Sequence, residues 1–485
     1  MILDAASCYR VIRSRDRRFD GRFFVGVRTT GIYCRPICPA PTPKRENVEF
    51  YPCAAAAEDA GFRPCRRCRP ETAPGTPAWV GSPAVVARAL RLIRAGALDE
   101  AGVGALAARL GIGPRQLRRL FDRHLGTSPV AVARARRVHF ARALLDQSRL
   151  PVTGVAFAAG FRSVRQFNHA VRATFGAAPR ALRARPGAAP PAGEPLTVRV
   201  AYRPPLDWTA LLAFLARRLT PGVDAVRDGR YHRTVALGDA VGAISVEPAP
   251  GEAALLVRVR VPECGGVLEL VERVRCLFDL DADPLQIAAH LARSPALRAR
   301  VAAAPGMRVP GAWDPFEIAV RAVVGQQITV GAATTLVGRL VAAFGTPIGG
   351  GDGLTHLFPA PAALADADVA AVGMPRARAA TLRALAAAVA RGEPLLDAAR
   401  GVDAVVERLC LIPGIGPWTA QYIAMRGLGE PDAFPAGDLG VRKALGNGAG
   451  PLAPAAVERF SQAWRPWRAY AVMHLWSSGP QREAT

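Results

Sequence analysis

Val27-Arg-Thr-Thr-Gly-Ile-Tyr-Cys-Arg-Pro36, followed by Ile37 and Cys38, and Gly61-Phe-Arg-Pro-Cys-Arg-Arg-Cys68 carry four cysteines in two close pairs. Three residues separate Cys34 from Cys38, two separate Cys65 from Cys68, and 26 lie between the pairs. Two thiol pairs joined by a loop supply four soft ligands that can close into a tetrahedron around zinc. Pro36 and Pro39 flank the first pair, and Gly61 and Pro64 precede the second, as knuckle turns require. Spacing alone favours a purely structural zinc knot, because a four-thiolate site is coordinatively closed.

The block around these cysteines, 1–76, is short and poor in long apolar runs. A domain this small usually needs a staple such as a metal. Two Pro/Gly/Ala-rich stretches, Glu71 to Ser82 and Arg185 to Pro195, lack apolar periodicity and read as linkers. They bound a helical block, 77–185, and a third block, 195–485. The third block opens with alternating strand-like segments, Leu196–Tyr202 and Ala254–Val261, in a strand-rich part that ends near residue 285. It is almost wholly helical from Ala282 onward, with Ala-rich helices expected over Pro359–Val389. The expected boundaries are thus 1–76, 77–185, 195–285 and 286–485.

Charge separates the blocks further. Residues 1–185 hold 33 Lys+Arg against 12 Asp+Glu, whereas residues 186–485 hold 30 against 27. Positive charge concentrated in the first part of a chain predicts a polyanion-binding surface there. Of the nine cysteines, six fall in the first 68 residues. The number is odd, and Met1 to Arg18 lacks an apolar stretch with a small-residue cleavage site. Both argue against a secreted disulfide framework and for a reducing, cytoplasmic setting. No charge-free run of about 18 apolar residues predicts a membrane span. Cys8 and Cys53 have no partner at ligand spacing and read as small apolar residues.

The residues around the four cysteines, with Arg45-Glu-Asn-Val48, closely resemble the N-terminal domain of the Ada adaptive-response proteins over most of 4–72. The resemblance implies one zinc ion, structural and catalytic, on Cys34, Cys38, Cys65 and Cys68. It also implies that Cys34 accepts a methyl group, once per molecule, from a DNA methylphosphotriester. A thiolate is the nucleophile that such a transfer needs. The Pro-Cys-His-Arg motif of the second Ada acceptor domain is absent, so direct repair of O6-methylguanine is not expected.

In the middle block, Val103-Gly-Ala-Leu-Ala-Ala-Arg-Leu-Gly-Ile-Gly-Pro-Arg-Gln-Leu-Arg-Arg-Leu-Phe121 reads as helix, Gly-containing turn, helix. Val152-Thr-Gly-Val-Ala-Phe-Ala-Ala-Gly-Phe-Arg-Ser-Val-Arg-Gln-Phe167 repeats the pattern, and Arg115-Gln116 and Arg165-Gln166 fall at corresponding places. The doubled unit, ending in Phe175-Gly176-Ala-Ala-Pro179, resembles an AraC-type DNA-binding domain. Arg115, Gln116, Arg118, Arg119, Arg165 and Gln166 are the side chains expected on DNA, since Arg and Gln suit guanine and adenine edges. An activator of this kind implies promoter DNA and RNA polymerase as partners.

In the third block, Leu411-Ile-Pro-Gly-Ile-Gly-Pro-Trp-Thr-Ala420 is a helix-hairpin-helix signature. The amides of a turn built on Gly414 and Gly416 can cradle a DNA phosphate without reading sequence. Taken with Trp313-Asp-Pro-Phe-Glu317, Arg321-Ala-Val-Val-Gly-Gln-Gln-Ile-Thr329, Phe434-Pro-Ala-Gly-Asp-Leu439 and Trp464-Arg-Pro-Trp-Arg-Ala-Tyr470, the hairpin resembles AlkA-type 3-methyladenine DNA glycosylases from about Leu196 to Ser478. The resemblance implies Asp438 as the carboxylate that steadies a cationic sugar and orients water. It also implies Phe214, Trp418, Tyr422 and Trp476 as a base pocket able to stack on cationic alkylated bases. Asp438 equally suits a helix N-cap. Trp418 stands where lyases of the endonuclease III type have a Schiff-base lysine, so the expected glycosylase is monofunctional. Cys264, Cys276 and Cys410 are too few for a four-cysteine iron–sulfur cluster. Three positions depart from the pattern: Leu439 and Ser477 replace tyrosines, and Gln327 replaces the leucine that wedges into the duplex.

The expected architecture is multidomain and mostly α with α+β parts. It comprises a small zinc-bound α/β domain, an AraC-type double helix-turn-helix, and a strand-rich subdomain with a helical helix-hairpin-helix glycosylase. The expected function is DNA alkylation-damage repair and response on alkylated and promoter DNA, with no membrane partner. Two alternatives are a transcriptional regulator with an inactive glycosylase-like domain and a metabolite-sensing regulator with a structural zinc.

Overall fold

The computed structural model describes residues 4–74, 84–99, 101–183, 195–262, 265–349, 353–446 and 450–477. Most of both expected linkers, the 76/77 boundary and Cys264 lie outside the described residues. The chain divides into two compact units, Met1–Arg203 with Ala236–Glu272, and Pro204–Val235 with Arg273–Thr485.

Unit one begins with helix α1 (Ala5–Ser14), opened by Asp4, whose carboxylate accepts the Ser7 N–H. A four-stranded sheet follows in the order β3-β1-β2-β4, with β1 Phe24–Val27, β2 Ile32–Cys34, β3 Val48–Tyr51 and β4 Arg63–Pro64. Gly26 in β1 admits no side chain, because a Cβ there would lie 2.8 Å from the Tyr51 ring and 2.9 Å from that of Phe62. Cys8, Val11 and Ile12 of α1 bury against Phe23, Val25 and Val48. Helix α2 (Ala54–Asp59) faces elsewhere. Its Ala55 and Ala56, with the preceding Cys53, join one apolar cluster with Val86, Leu90, Leu117 and Phe121 from the next helices. The cysteine-bearing sheet and the helical block thus share a core. The first expected linker also starts later than its composition predicts, since Pro70–Thr72 is a turn of 3-10 helix closed on Arg69.

The helices of this unit are α3 (Ala84–Arg94), α4 (Val103–Arg109), α5 (Pro114–Leu125), α6 (Pro129–Gln147), α7 (Val152–Ala158), α8 (Val164–Phe175) and α9 (Pro179–Leu182). The pairs α4–α5 and α7–α8 are the two expected helix-turn-helix units, and the 19-residue α6 runs between them. Ser163 caps α8 by accepting the Gln166 N–H. Polar contacts tie α2 and the residues after β4 to α6. Glu58 accepts the Tyr33 hydroxyl at 2.9 Å and pairs with His139. Asp59 pairs with Arg134 at 3.2 Å, and Arg69 with Asp146. Burial would lower the His139 pKa, but the Glu58 charge outweighs it and holds the imidazole above its ordinary value. Strands Leu196–Ala201, Ala240–Pro248 and Ala254–Arg260 complete the unit, with the last pairing antiparallel to both others.

Unit two contains helix Trp208–Ala216, the antiparallel strand Asp224–Arg227 against the start of Arg230–Leu237, and the helices after residue 283. The strands expected in block 195–285 are therefore shared between the units. Helix Pro315–Val324 is apolar on nearly every side and packs against Pro417–Gly427, so both run through the core. A buried set of charges (Asp224, Arg233 and Glu317, with the Tyr231 hydroxyl on Asp224 at 2.9 Å) fixes the hairpin to helix Pro315–Val324. The expected Ala-rich stretch forms two helices, Pro361–Ala365 and Arg376–Ala390.

Candidate functional site

In unit one, β2 ends on Cys34, and the turn after it returns Cys38 beside it; a second turn after β4 presents Cys65 and Cys68. Parallel pairing of Tyr33 with Pro64 aligns the two turns. The four sulfurs lie within 4.8 Å of one another. Tetrahedral zinc with four thiolates sets its sulfurs about 3.8 Å apart, so this donor set fits the ion. Cys65 and Cys68 are buried, whereas Cys34 and Cys38 are only half-buried. Crowding has an electrostatic signature. Hydrogen bonds from Cys34 and then Cys68 pull the Cys38 thiol far down, with the Ala40 N–H adding to them. The bond to Cys38 drives Cys34 the other way. Four sulfurs this close cannot all ionise without a cation to hold them.

Arg35 organises the first turn. Its backbone N–H donates to Cys68 Sγ at 3.3 Å. Its guanidinium reaches the Asp20 carboxylate and the Thr72 hydroxyl. Nothing in the cysteine spacing signals this role. Cys8 and Cys53 are buried in apolar clusters away from the four.

On the helical part of this unit, Arg115, Gln116, Arg118 and Arg119 of α5 and Arg165 and Gln166 of α8 are exposed. Leu117, Phe121 and Phe167 on the same helices are fully buried. The helix period divides polar from apolar positions as the sequence predicts.

In unit two, a cleft of about 630 Å³ is lined by Phe214, Arg217, Trp418, Tyr422, Asp438 and Trp476 among others. Trp418 and Tyr422 stack, with ring centroids 5.5 Å apart and planes 14° from parallel; Trp476 leans on Tyr422 at 6.4 Å. Asp438 caps helix Leu439–Leu445, and its carboxylate accepts three N–H groups. Val441 N donates to Oδ1 at 2.9 Å, Trp476 Nε1 to Oδ1 at 2.9 Å and Trp418 Nε1 to Oδ2 at 3.1 Å. The N-cap role and a place in the cleft therefore coexist. Both indoles are oriented by the carboxylate they hold.

Phe214 lines the cleft, but its ring carries guanidinium groups, Arg218 at 3.8 Å and Arg426 at 4.7 Å from the centroid. Burial would raise the Tyr422 phenol, yet Arg426, Arg218 and Arg321 outweigh it and pull the group below its usual value. This arginine cluster escaped sequence reasoning. Its only signal is the placing of Arg321 and Arg426 inside otherwise apolar helices.

The hairpin turn between Cys410 and Pro417 has Gly414 at φ +88°, where a Cβ would also fall 2.1 Å from Thr381 Oγ1, so only glycine fits. Gly414 and Gly416 are exposed. Gln327 stands exposed at the tip between helices Pro315–Val324 and Val330–Phe344, with φ +57°. A left-handed backbone at a non-glycine residue stores strain. Its neighbour Gln326 holds this tip to the hairpin by donating to the Gly414 carbonyl at 2.9 Å and to Thr419 Oγ1 at 3.1 Å.

Comparisons with known proteins agree with this layout. Residues 7–71 match the metal binding domain of Ada, and residues 106–185 a helix-turn-helix domain. Residues 197–314 match the AlkA N-terminal domain, and 320–469 the HhH-GPD superfamily of base excision DNA repair proteins. A probable bifunctional transcriptional activator/DNA repair enzyme AlkA of Mycobacterium tuberculosis is 46% identical over 480 residues, 98% of this chain and 96% of that protein. DNA-3-methyladenine glycosylase 2 of Escherichia coli is 33% identical over 57% of this chain and 95% of its own length. The bifunctional transcriptional activator/DNA repair enzyme Ada of Escherichia coli is 35% identical over 40% of this chain and 51% of its own length. Among solved structures, a 3-methyladenine DNA-glycosylase from Archaeoglobus fulgidus shares the fold over 57% of this chain and 96% of its own, at TM-score 0.51 and 22% identity.

Proposed function

Because the chain belongs to the family of bifunctional transcriptional activator/DNA repair proteins that unite an Ada-type metal-binding domain, a helix-turn-helix domain and an AlkA-type glycosylase, we propose that its two sites divide the work between Cys34 and Asp438. It is a DNA-binding repair enzyme and regulator. Asp438 hydrolyses the bond between an alkylated purine of the 3-methyladenine type and its sugar. Cys34 takes a methyl group from a DNA methylphosphotriester.

The observation that carries the first part is the carboxylate held by three N–H groups on an aromatic wall. A base stacked on Trp418 and Tyr422 brings its sugar to Asp438. As the glycosidic bond breaks, its electron pair leaves with the base, and the sugar becomes cationic. The carboxylate faces that charge and orients a water, whose oxygen bonds to the anomeric carbon as its proton passes to the carboxylate, which returns it to solvent. The donors keep the carboxylate in place at the moment charge appears, so little reorganisation is needed. No lysine stands at the Trp418 position, so the reaction is monofunctional. Release of free base from alkylated duplex by the wild type, abolished in Asp438→Asn, tests this; equal release by both would refute it. A regulator with an inactive cleft would show no release from the wild type.

For the second part, the four cysteines would hold one zinc ion, which would keep the thiols ionised at neutral pH. Of the two half-buried sulfurs, Cys34 at the end of β2 is the one that the resemblance to the Ada metal-binding domain makes the acceptor. Its lone pair bonds to the methyl carbon, and the methyl–oxygen bond breaks to leave a phosphodiester anion. A thiolate becomes a neutral thioether, and one negative charge facing DNA is lost. Mass spectrometry of Cys34 after incubation with methylated DNA tests the transfer; no added methyl would support a structural zinc alone. The domains take the boundaries 1–76, 77–185, 195–285 and 286–485. Arg115, Gln116, Arg118, Arg119, Arg165 and Gln166 meet promoter DNA, Gly414, Gly416 and Gln327 meet damaged duplex, and the regulator acts on RNA polymerase in the cytoplasm.

A further inference from the structure

Four guanidinium groups gather beside the cleft of unit two, and they are not equivalent. Arg218 lies on the Phe214 ring and donates to the Phe214 carbonyl at 3.2 Å. Arg321 donates to the Leu219 carbonyl at 3.1 Å and to the Thr334 hydroxyl at 2.6 Å. Arg426 donates to the Gly311 carbonyl at 3.4 Å and the Tyr422 hydroxyl at 3.2 Å. Each is anchored by at least one backbone carbonyl, and among the described contacts none of these three pairs with a carboxylate. Arg217 is the fourth. It caps the end of helix Trp208–Ala216, is exposed, lines the same cleft as Asp438, and has no side-chain partner among the described contacts.

The cluster is costly as it stands. Like charges this close repel, and burial together with Arg426 and Arg217 pushes Arg218 down to about 10 despite the opposing pull of Tyr422. An anion at the mouth of the cleft would relieve the repulsion. The reacting nucleotide brings one: with its base on the aromatic wall and its sugar at Asp438, its phosphate must stay outside, at the rim. An exposed, unpaired guanidinium there has the fork geometry that a phosphodiester accepts.

We propose that Arg217 binds the phosphate of the nucleotide whose base enters the cleft, and so positions the sugar against Asp438. The inference rests on the reading of the cleft as a base pocket. Arg217 is a positioning residue, acting through the substrate backbone and not on the bond that breaks.

The test uses the full-length protein, a duplex carrying a stable abasic-site analogue, the same duplex undamaged, and an alkylated duplex for turnover. Arg217→Ala should weaken binding to the abasic analogue about tenfold, the loss expected for one charge-assisted contact. It should lower the salt dependence of that binding by about one released counterion. The single-turnover rate at saturating DNA should also fall several-fold, because the sugar is then less well placed against Asp438. Undamaged-duplex affinity should change by less than about threefold, and Arg217→Lys should restore the salt dependence but only part of the affinity, since an ammonium lacks the fork. The residue is exposed, so an unchanged melting temperature would show that the variant folds. Unaltered affinity and salt slope for the abasic analogue would overturn the proposal. So would an equal loss on undamaged duplex, which would mark Arg217 as part of a general positive field. A wild type that neither releases base nor prefers the abasic analogue would instead sink the reading of the cleft, and the inference with it.

Discussion

The sulfurs of the cysteine site come from two turns between positions 34 and 68, whereas the cleft draws Phe214, Arg321, Trp418, Asp438 and Trp476 from five helices between positions 214 and 476. The first site is assembled by a small sheet whose register aligns two turns, and its contents are nearly all ligand. The second needs a whole core behind it, including the buried Asp224, Arg233 and Glu317 charges. A local site relies on its metal for structure. A site spread over the chain is held by packing, and can therefore keep a reactive carboxylate without help from an ion. The chemistry follows the same division. On the proposed reading, Cys34 would be used up by the group it accepts, while Asp438 would be unchanged after each cycle.

The comparison would break most visibly at the metal. Chelation, or Cys65→Ser, should unfold the sheet of unit one, because a four-thiolate zinc contributes about 10 kcal/mol or more to a small domain. Unit two should keep its melting transition. A calorimetric trace in which both transitions survive chelation would contradict the contrast. Next in size, Asp438→Asn should slow base release by about 100-fold or more with the fold intact. A smaller loss is expected for Gly440→Ala. A Cβ there would sit 3.1 Å from Asp438 Oδ1 and 3.3 Å from Trp476 Cδ1, tighter than ordinary contact. About a tenfold drop in the single-turnover rate is the expected cost of tilting the carboxylate; a wild-type rate would show that the three-donor hold is not needed.

The smallest effect concerns the shared core of unit one. His139 has its pKa raised in the folded state by Glu58, so its contribution to stability is fully present below its ordinary pKa of 6.5. That contribution is lost as pH rises through the higher folded value. Unit one should therefore melt at a higher temperature at pH 6 than at pH 8, and His139→Gln should flatten that part of the profile. A wild-type profile with the opposite slope, unchanged by the substitution, would remove His139 as the joint between α2 and α6.

Much of this was legible in the sequence, for reasons that differ by residue. The cysteines announce themselves by spacing, because their ligand role is a local matter. Asp438 is signalled by the family resemblance of Phe434–Leu439, because a whole helix, Pro417–Gly427, and a loop separate it from the Gly414–Gly416 hairpin. Leu117, Phe121 and Phe167 follow from helix period. The partners that make these residues work follow from none of these signals. Trp418 and Trp476 reach Asp438 from 20 positions before and 38 after it. Glu58 and His139 are 81 positions apart. A side chain's hydrogen-bond partner is decided by tertiary packing, which a single chain of letters does not encode locally. The arginines around Phe214 were hidden for the same reason, because an arginine in an apolar helix reads as an exception until its neighbours are seen.

Two of the seven tryptophans in the chain donate to one carboxylate inside a ligand-sized cleft. Indole emission shifts with the charge and water around the ring, so Trp418 and Trp476 give the protein an optical reporter at its proposed reaction centre. Entry of a base would displace water and stack against Trp418, and the emission should quench within the mixing time of a stopped-flow instrument. Base binding could then be followed on natural, unlabelled DNA and separated in time from the later bond cleavage.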